Sequence, residues 1–139
     1  MISEGRVMAV DYGEKRIGVA LSDPLRMFAK PLIVLPNSGI ADTIAHLEAL
    51  IAEHKVSFLL VGMPYAIDGS DTPKTIETKS FAEELASSLS VPVFGYDERY
   101  STCDAEHELK RMGYTWQEAK KVKDAMAACM FLKNFLDSK

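Results

Sequence analysis

Arg6-Val-Met-Ala-Val-Asp11-Tyr-Gly13-Glu-Lys15-Arg16-Ile-Gly18-Val-Ala-Leu-Ser22 holds two short apolar runs separated only by Tyr12 to Lys15. Each run is too short for a helix and reads as a strand. A short connection containing Gly13 makes the pair a hairpin, though not one of the two-residue Asn-Gly type. A third strand over Ala29 to Leu35 is stopped by Pro36-Asn37-Ser38-Gly39. Three strands joined by short links predict an antiparallel meander.

Beyond the meander the period changes. Ile40, Ile44, Leu47 and Ile51 recur at three- and four-residue steps and predict a helix. Val56-Ser-Phe-Leu-Leu-Val61 is a buried-type strand. Thr72-Pro73 supplies an N-cap hydroxyl and a first-turn proline for a helix running to about Leu89. Val91-Pro92-Val-Phe-Gly-Tyr96 is a fifth strand, its proline favouring an edge or a strand beginning. Ser101-Thr-Cys-Asp104 opens a further helix that Gly113 ends. Thr115-Trp-Gln-Glu118 is a full capping box opening the last helix, whose apolar stripe is Val122, Met126, Cys129 and Leu132. Strands linked through helices pair in parallel by right-handed crossovers. The expectation is an α/β chain: a mixed five-stranded sheet, three antiparallel strands then two parallel, with helices on both faces.

The chain has 139 residues, the length of one domain spanning 1–139. Its 47% hydrophobic and 26% charged residues are those of a soluble globular protein. The longest apolar runs, such as Phe58 to Val61, are far too short to span a bilayer. With no export signal visible, the expected location is the cytoplasm, with no membrane partner. Cys103 and Cys129 lie outside any C-x-x-C spacing, so reduced thiols are expected rather than a disulfide or zinc site. Sixteen Lys and Arg against twenty Asp and Glu give a net charge of −4, which argues against a generic polyanion binder. The charge is uneven, however. Between Lys110 and Lys123 stand five basic residues and one acid.

Carboxylates stand at three places: Asp11 at the end of the first strand, Asp97 and Glu98 at the end of the fifth, and Asp124 in the last helix. In open α/β sheets the carboxyl ends of the strands form the functional rim. Ala127 and Ala128, three and four residues after Asp124, let that helix approach the sheet closely. Converging carboxylates repel unless a cation joins them, and hard oxygen donors select Mg2+ or Mn2+. A pair of such ions activates water and stabilises the leaving oxygen of a phosphodiester. Each acid also suits a plainer role: Asp11 as a turn former, Asp97-Glu98-Arg99 as a solvated ion pair, Asp124 as one more charge on an exposed helix face. Around them stand Lys15, Arg16, Arg99, Lys110, Arg111, Lys120, Lys121 and Lys123, cations able to hold a phosphate backbone or simply to solvate a helix. Gly62-Met63-Pro64-Tyr65 with Asp68-Gly69 forms a rim loop, either an ordinary connection or one that stacks Tyr65 on a base. Trp116 reads as a packing anchor. His46, His54 and His107 lack ligand spacing.

Ala9-Val-Asp11-Tyr-Gly13-Glu-Lys15-Arg16-Ile-Gly18-Val-Ala-Leu-Ser22-Asp resembles the N-terminal signature of the YqgF family, small proteins described as Holliday junction resolvases or pre-16S rRNA nucleases with an RNase H-like fold. The resemblance continues through Val61-Gly62-Met63-Pro64, Asp68-Gly69, Asp97-Glu98-Arg99-Tyr-Ser101-Thr102 and Asp124-x-x-Ala127-Ala128. Met63 stands where the family commonly has leucine, and Ala66 near where it often has asparagine. The resemblance implies that Asp11, Glu98 and Asp124 are the metal-binding catalytic carboxylates, holding one or two Mg2+ or Mn2+ ions, with Asp97 in support. Lys15, Arg16, Arg99, Lys120, Lys121 and Lys123 are then the substrate-binding cations. The expected activity is phosphodiester hydrolysis at the 5′ end of pre-16S rRNA. Partners would be structured nucleic acid and possible ribosomal precursor particles, and the chain a monomer or weak homodimer.

Three other readings stay open. One is a resolvase-type endonuclease acting on branched DNA. Another is a non-catalytic nucleic-acid-binding module. The third is a phosphate-binding ATPase, because Asp11-x-Gly13-x-x-x-x-Gly18 resembles the phosphate hairpin of the sugar kinase and actin superfamily.

Overall fold

The computed structural model describes residues 5–99 and 111–138; for residues 116 and 119–122 the backbone alone is described. The meander is β1 (Arg6–Asp11), β2 (Arg16–Ser22) and β3 (Ala29–Pro36). Then come α1 (Ile40–His54), β4 (Val56–Met63), α2 (Pro73–Ser88), β5 (Val93–Asp97) and α3 (Trp116–Asp137). The helix expected from Ser101 lies outside the described residues, as do Cys103, His107 and Lys110.

The five strands form one mixed sheet in the order β3-β2-β1-β4-β5. β2 pairs antiparallel with β1 and β3, whereas β4 pairs parallel with β1 and β5. This is the expected fold class, with both long crossovers carried by helices. β4 runs two residues beyond the sequence reading, because Gly62 and Met63 still pair with Tyr96 and Asp97. β5 begins at Val93, after Pro92, which lacks an N–H but accepts one from Leu59 at 3.0 Å.

Strand alternation sorts the side chains into two cores. Met8, Val10, Ile17, Val19, Leu59 and Val61 face α1 and α2, meeting Leu47, Ile51, Phe81 and Leu85. Val7, Ala9, Ala20, Phe58 and Leu60 face α3, meeting Met126, Cys129, Phe131 and Leu132. Cys129 is buried in this second core. The same alternation carries Asp11, Gly18 and Gly62 onto the α3 side. Among the described residues no helix is long and apolar enough to cross a membrane.

Each of the three helices has an end defined by local chemistry. Thr115 and Glu118 cap α3 reciprocally, and Thr72 and Thr75 do the same for α2. α1 ends at Lys55, which takes a left-handed conformation (φ 55°) and returns its N–H to Ile51.

Candidate active site

Asp11 ends β1 with a glycine on either side of it in the sheet. Gly18 of β2 is its antiparallel partner. On the other flank Val10 pairs with Val61, so the parallel register brings Gly62 of β4 beside Asp11. Each glycine admits a different element. A Cβ at Gly18 would collide with the main-chain carbonyl of Asp124 and stand 2.8 Å from Ala125 N. The missing side chain therefore lets α3 lie against β2 at the turn that carries Asp124. A Cβ at Gly62 would collide with Oε2 of Glu98 and stand 2.7 Å from Phe131 Cε2. That gap lets the Glu98 carboxylate fold back over the sheet toward Asp11. Strand glycines of this kind mark close approach of another element. The packing of α3 thus accounts for Gly18 in physical terms.

Crowding these acids changes their ionisation. Burial pushes the Asp11 carboxyl up to about 6; the Lys74 ammonium opposes the shift and the Asp124 carboxylate adds to it. Glu98 is pushed up to about 7 by burial and then by Asp11, with Lys74 again opposing and Asp97 adding. Asp11 therefore feels both other acids of the trio, which ties the three together electrostatically. Asp124 is already partnered: Arg16 Nε donates to its Oδ2 at 2.7 Å.

Hydrogen bonds fix the rim around the acids. Asn37, at the end of the meander, clamps the β1–β2 turn. Its Nδ2 donates to Gly13 O at 2.8 Å and its N–H to Lys15 O at 2.9 Å. Asp11, Lys15, Arg16, Lys74 and Asp124 line one open hollow of about 280 Å³. Arg99 turns toward Asp97, donating through Nη2 to Oδ2 at 2.7 Å and through Nη1 to Ile67 O at 3.1 Å. It holds the Asp97 carboxyl below the usual range. The pair ties the rim loop at Ile67 to the end of β5.

Among the expected site residues, then, Asp11, Asp124, Lys15 and Arg16 share one hollow, and Glu98 is coupled to Asp11. Arg99 braces a loop. Lys123 is exposed on α3, and the side chains of Lys120, Lys121 and Trp116 lie outside what is described. Lys74 is the residue that sequence reading missed. It sits in the first turn of α2, outside the acid motifs, and only the fold brings it to them.

The donor set suits a hard divalent cation: all-oxygen, crowded and short of compensating charge. Among the described residues, however, no three His, Cys, Asp or Glu side chains are gathered closely enough to hold an ion. Asp124 is engaged instead with Arg16. By donor chemistry, Asp11, Glu98 and Asp124 are the carboxylates that would hold such an ion.

A mixed sheet in this order, flanked by helices, is the RNase H-like fold. Residues 5–138 match the model of the family described as "RuvX: Holliday junction resolvase", and the chain belongs to that family. It is 37% identical over 134 residues to a protein of Roseiflexus sp. (strain RS-1) named "Putative pre-16S rRNA nuclease", covering 96% of this chain and 95% of that one. A Dehalococcoides mccartyi protein of the same name is 38% identical over 126 residues, covering 90% and 92%. The fold is similar to RuvC of Thermus thermophilus solved with a Holliday junction substrate (TM-score 0.60, 16% identity, 96% and 94% covered). It is also similar to the Fowlpox virus resolvase solved with Holliday junction DNA (TM-score 0.53, 8% identity, 96% and 97% covered).

Proposed function

We propose that this chain is a metal-dependent nuclease that hydrolyses phosphodiester bonds in the 5′ region of precursor 16S rRNA. The observation that carries the reading is the seat of Asp11 between Gly18 and Gly62, which draws Asp124 and Glu98 toward one rim. A fold built only to bind nucleic acid has no need to crowd carboxylates against a polyanion's path. Family membership supports phosphodiester hydrolysis, and the names of the 35–38% identical relatives support the RNA substrate.

Asp11, Glu98 and Asp124 would hold one or two Mg2+ or Mn2+ ions, which supply charge neutralisation and an activated water. The chain's own residues do the rest. In the metal-free molecule burial raises Asp11 to about 6 and Glu98 to about 7, so loading below these values would release protons and metal affinity would rise with pH up to about 7. Arg16 holds Asp124 until the site is loaded and then becomes available to a phosphate. Lys15 lines the same hollow. Lys120, Lys121 and Lys123, on the helix of Asp124, serve flanking phosphates, while Arg99 acts mainly by holding the rim loop through Asp97. With a net charge of −4, non-specific binding is weak, so a structured RNA or precursor particle supplies the affinity.

Branched DNA is the second reading, favoured by the family description. Matched precursor-rRNA and junction-DNA substrates, incubated with Mg2+ or Mn2+, separate the two. RNA cleavage that is lost in Asp124→Asn supports the proposal. Cleavage of the junction alone moves the substrate to DNA, and cleavage of neither by the intact protein removes the catalytic reading.

A further inference from the structure

We propose that Lys74 binds a non-bridging oxygen of the phosphate to be cut, positioning it against the acids. The proposal rests on the nuclease reading above and extends it to a residue outside the acid motifs.

The first observation is placement. Lys74 lines the 280 Å³ hollow with Asp11, Arg16 and Asp124, and also the adjoining one formed by Tyr12, Gly13, Glu14 and Glu77. The second is that its backbone is fixed. Thr75 is fully buried; its hydroxyl donates to Pro64 O at 2.7 Å and accepts the Thr72 N–H at 3.1 Å. The first turn of α2 is thereby fastened to the residue that follows β4. The Lys74 backbone cannot drift from the acids without breaking that part-buried hydrogen bond.

The third observation is that the Lys74 ammonium, on the hollow shared with Asp11 and Asp124, is left uncommitted. Its side chain is exposed and makes no hydrogen bond or ion pair with a described residue. Arg16, by contrast, is engaged with Asp124. A flexible ammonium with three donors, held near but not on two carboxylates, suits an anion that arrives between them. A phosphate in that hollow would be within the lining shared by Lys74 and Arg16.

The test uses the full chain and the nucleic acid that the wild type cuts best. Binding is followed by fluorescence anisotropy from 50 to 300 mM KCl, concentrations chosen to resolve the salt slope. Single-turnover cleavage is measured alongside. Lys74→Ala is expected to reduce the slope of log K against log salt by about one and to slow cleavage roughly tenfold or more. Lys74→Arg is expected to restore the slope and most of the rate, and the melting temperature should not move. Lys30→Ala, which removes the same charge at the opposite end of the sheet, should leave both readouts unchanged.

A wild-type slope and rate in Lys74→Ala would overturn the assignment. So would a slower rate with an unchanged slope that arginine does not rescue, since Lys74 would then act only on the acids. If the wild type cuts nothing while Lys74→Ala still lowers the slope, the nuclease reading fails and the phosphate contact stands.

Discussion

Arg16 Nε lies 2.7 Å from Asp124 Oδ2, across 108 residues of sequence, and gives the helix-borne acid a resident positive charge. The same arginine opens β2 two residues before Gly18, the glycine that admits the Asp124 turn. One short strand segment therefore both seats the acid and neutralises it. Under the proposed metal-binding role of Asp124, an incoming divalent ion would compete with Arg16. Arg16→Ala is expected to tighten Mn2+ binding a few-fold, the modest effect of an exposed ion pair, and to weaken nucleic-acid binding. Calorimetric titration of the two ligands checks both signs.

Stability should fall as pH rises across the neutral range in the absence of divalent metal. Both Asp11 (about 6) and Glu98 (about 7) have folded-state values above their unfolded ones, so folding disfavours their ionised forms. The penalty is absent below about pH 4, grows as pH rises, and levels off once pH has passed through the folded values of about 6 and about 7. For Glu98 it is on the order of 3 kcal/mol. Asp97 is shifted the other way, so its stabilisation is lost only as pH falls below about 4 and leaves this window clear. Urea melts in EDTA between pH 4.5 and 8.5 should show the decline, and Glu98→Gln should flatten most of it.

The two glycines should fail differently. At Gly18 the obstructing atoms are backbone of α3, which cannot rotate away. Gly18→Ala should cost about 2–4 kcal/mol, the upper range for forcing atoms into a packed site. At Gly62 the obstructions are the end of Glu98 and the ring of Phe131. Gly62→Ala should cost about 1–3 kcal/mol and lose activity out of proportion, because Glu98 is displaced. Denaturation midpoints read beside cleavage rates distinguish the two.

Thr75→Val keeps the side-chain shape and removes the hydroxyl that meets Pro64 O and caps α2. Leaving that carbonyl without its partner should cost about 1–2 kcal/mol. Thermal melts check the loss.

Most of the architecture was readable because alternation and period are local. β1 and β2 stand where their apolar runs end, and Thr72 and Thr115 cap the helices their spacing announced. The misplaced ends have tertiary causes. Gly62-Met63-Pro64 reads as a turn by propensity, yet pairing with β5 keeps Gly62 and Met63 in the strand. The acids were visible at the strand ends and in the last helix. Their seats were less so: glycine inside a strand signals a close neighbour but not which one. Nothing local linked Arg16 to Asp124, or Lys74 to Asp11, since each contact exists only after the sheet and helices have assembled.

The central claim is that Asp11, flanked by Gly18 and Gly62, is the hub of the cutting site. Asp11→Asn tests it most directly, by single-turnover cleavage of the preferred substrate in Mg2+ and, on a separate sample in EDTA, a urea melt at pH 8. The account predicts a protein more stable than wild type that cuts about a thousandfold more slowly, ~4 kcal/mol of barrier. Undiminished cleavage by the folded Asp11→Asn protein would contradict it.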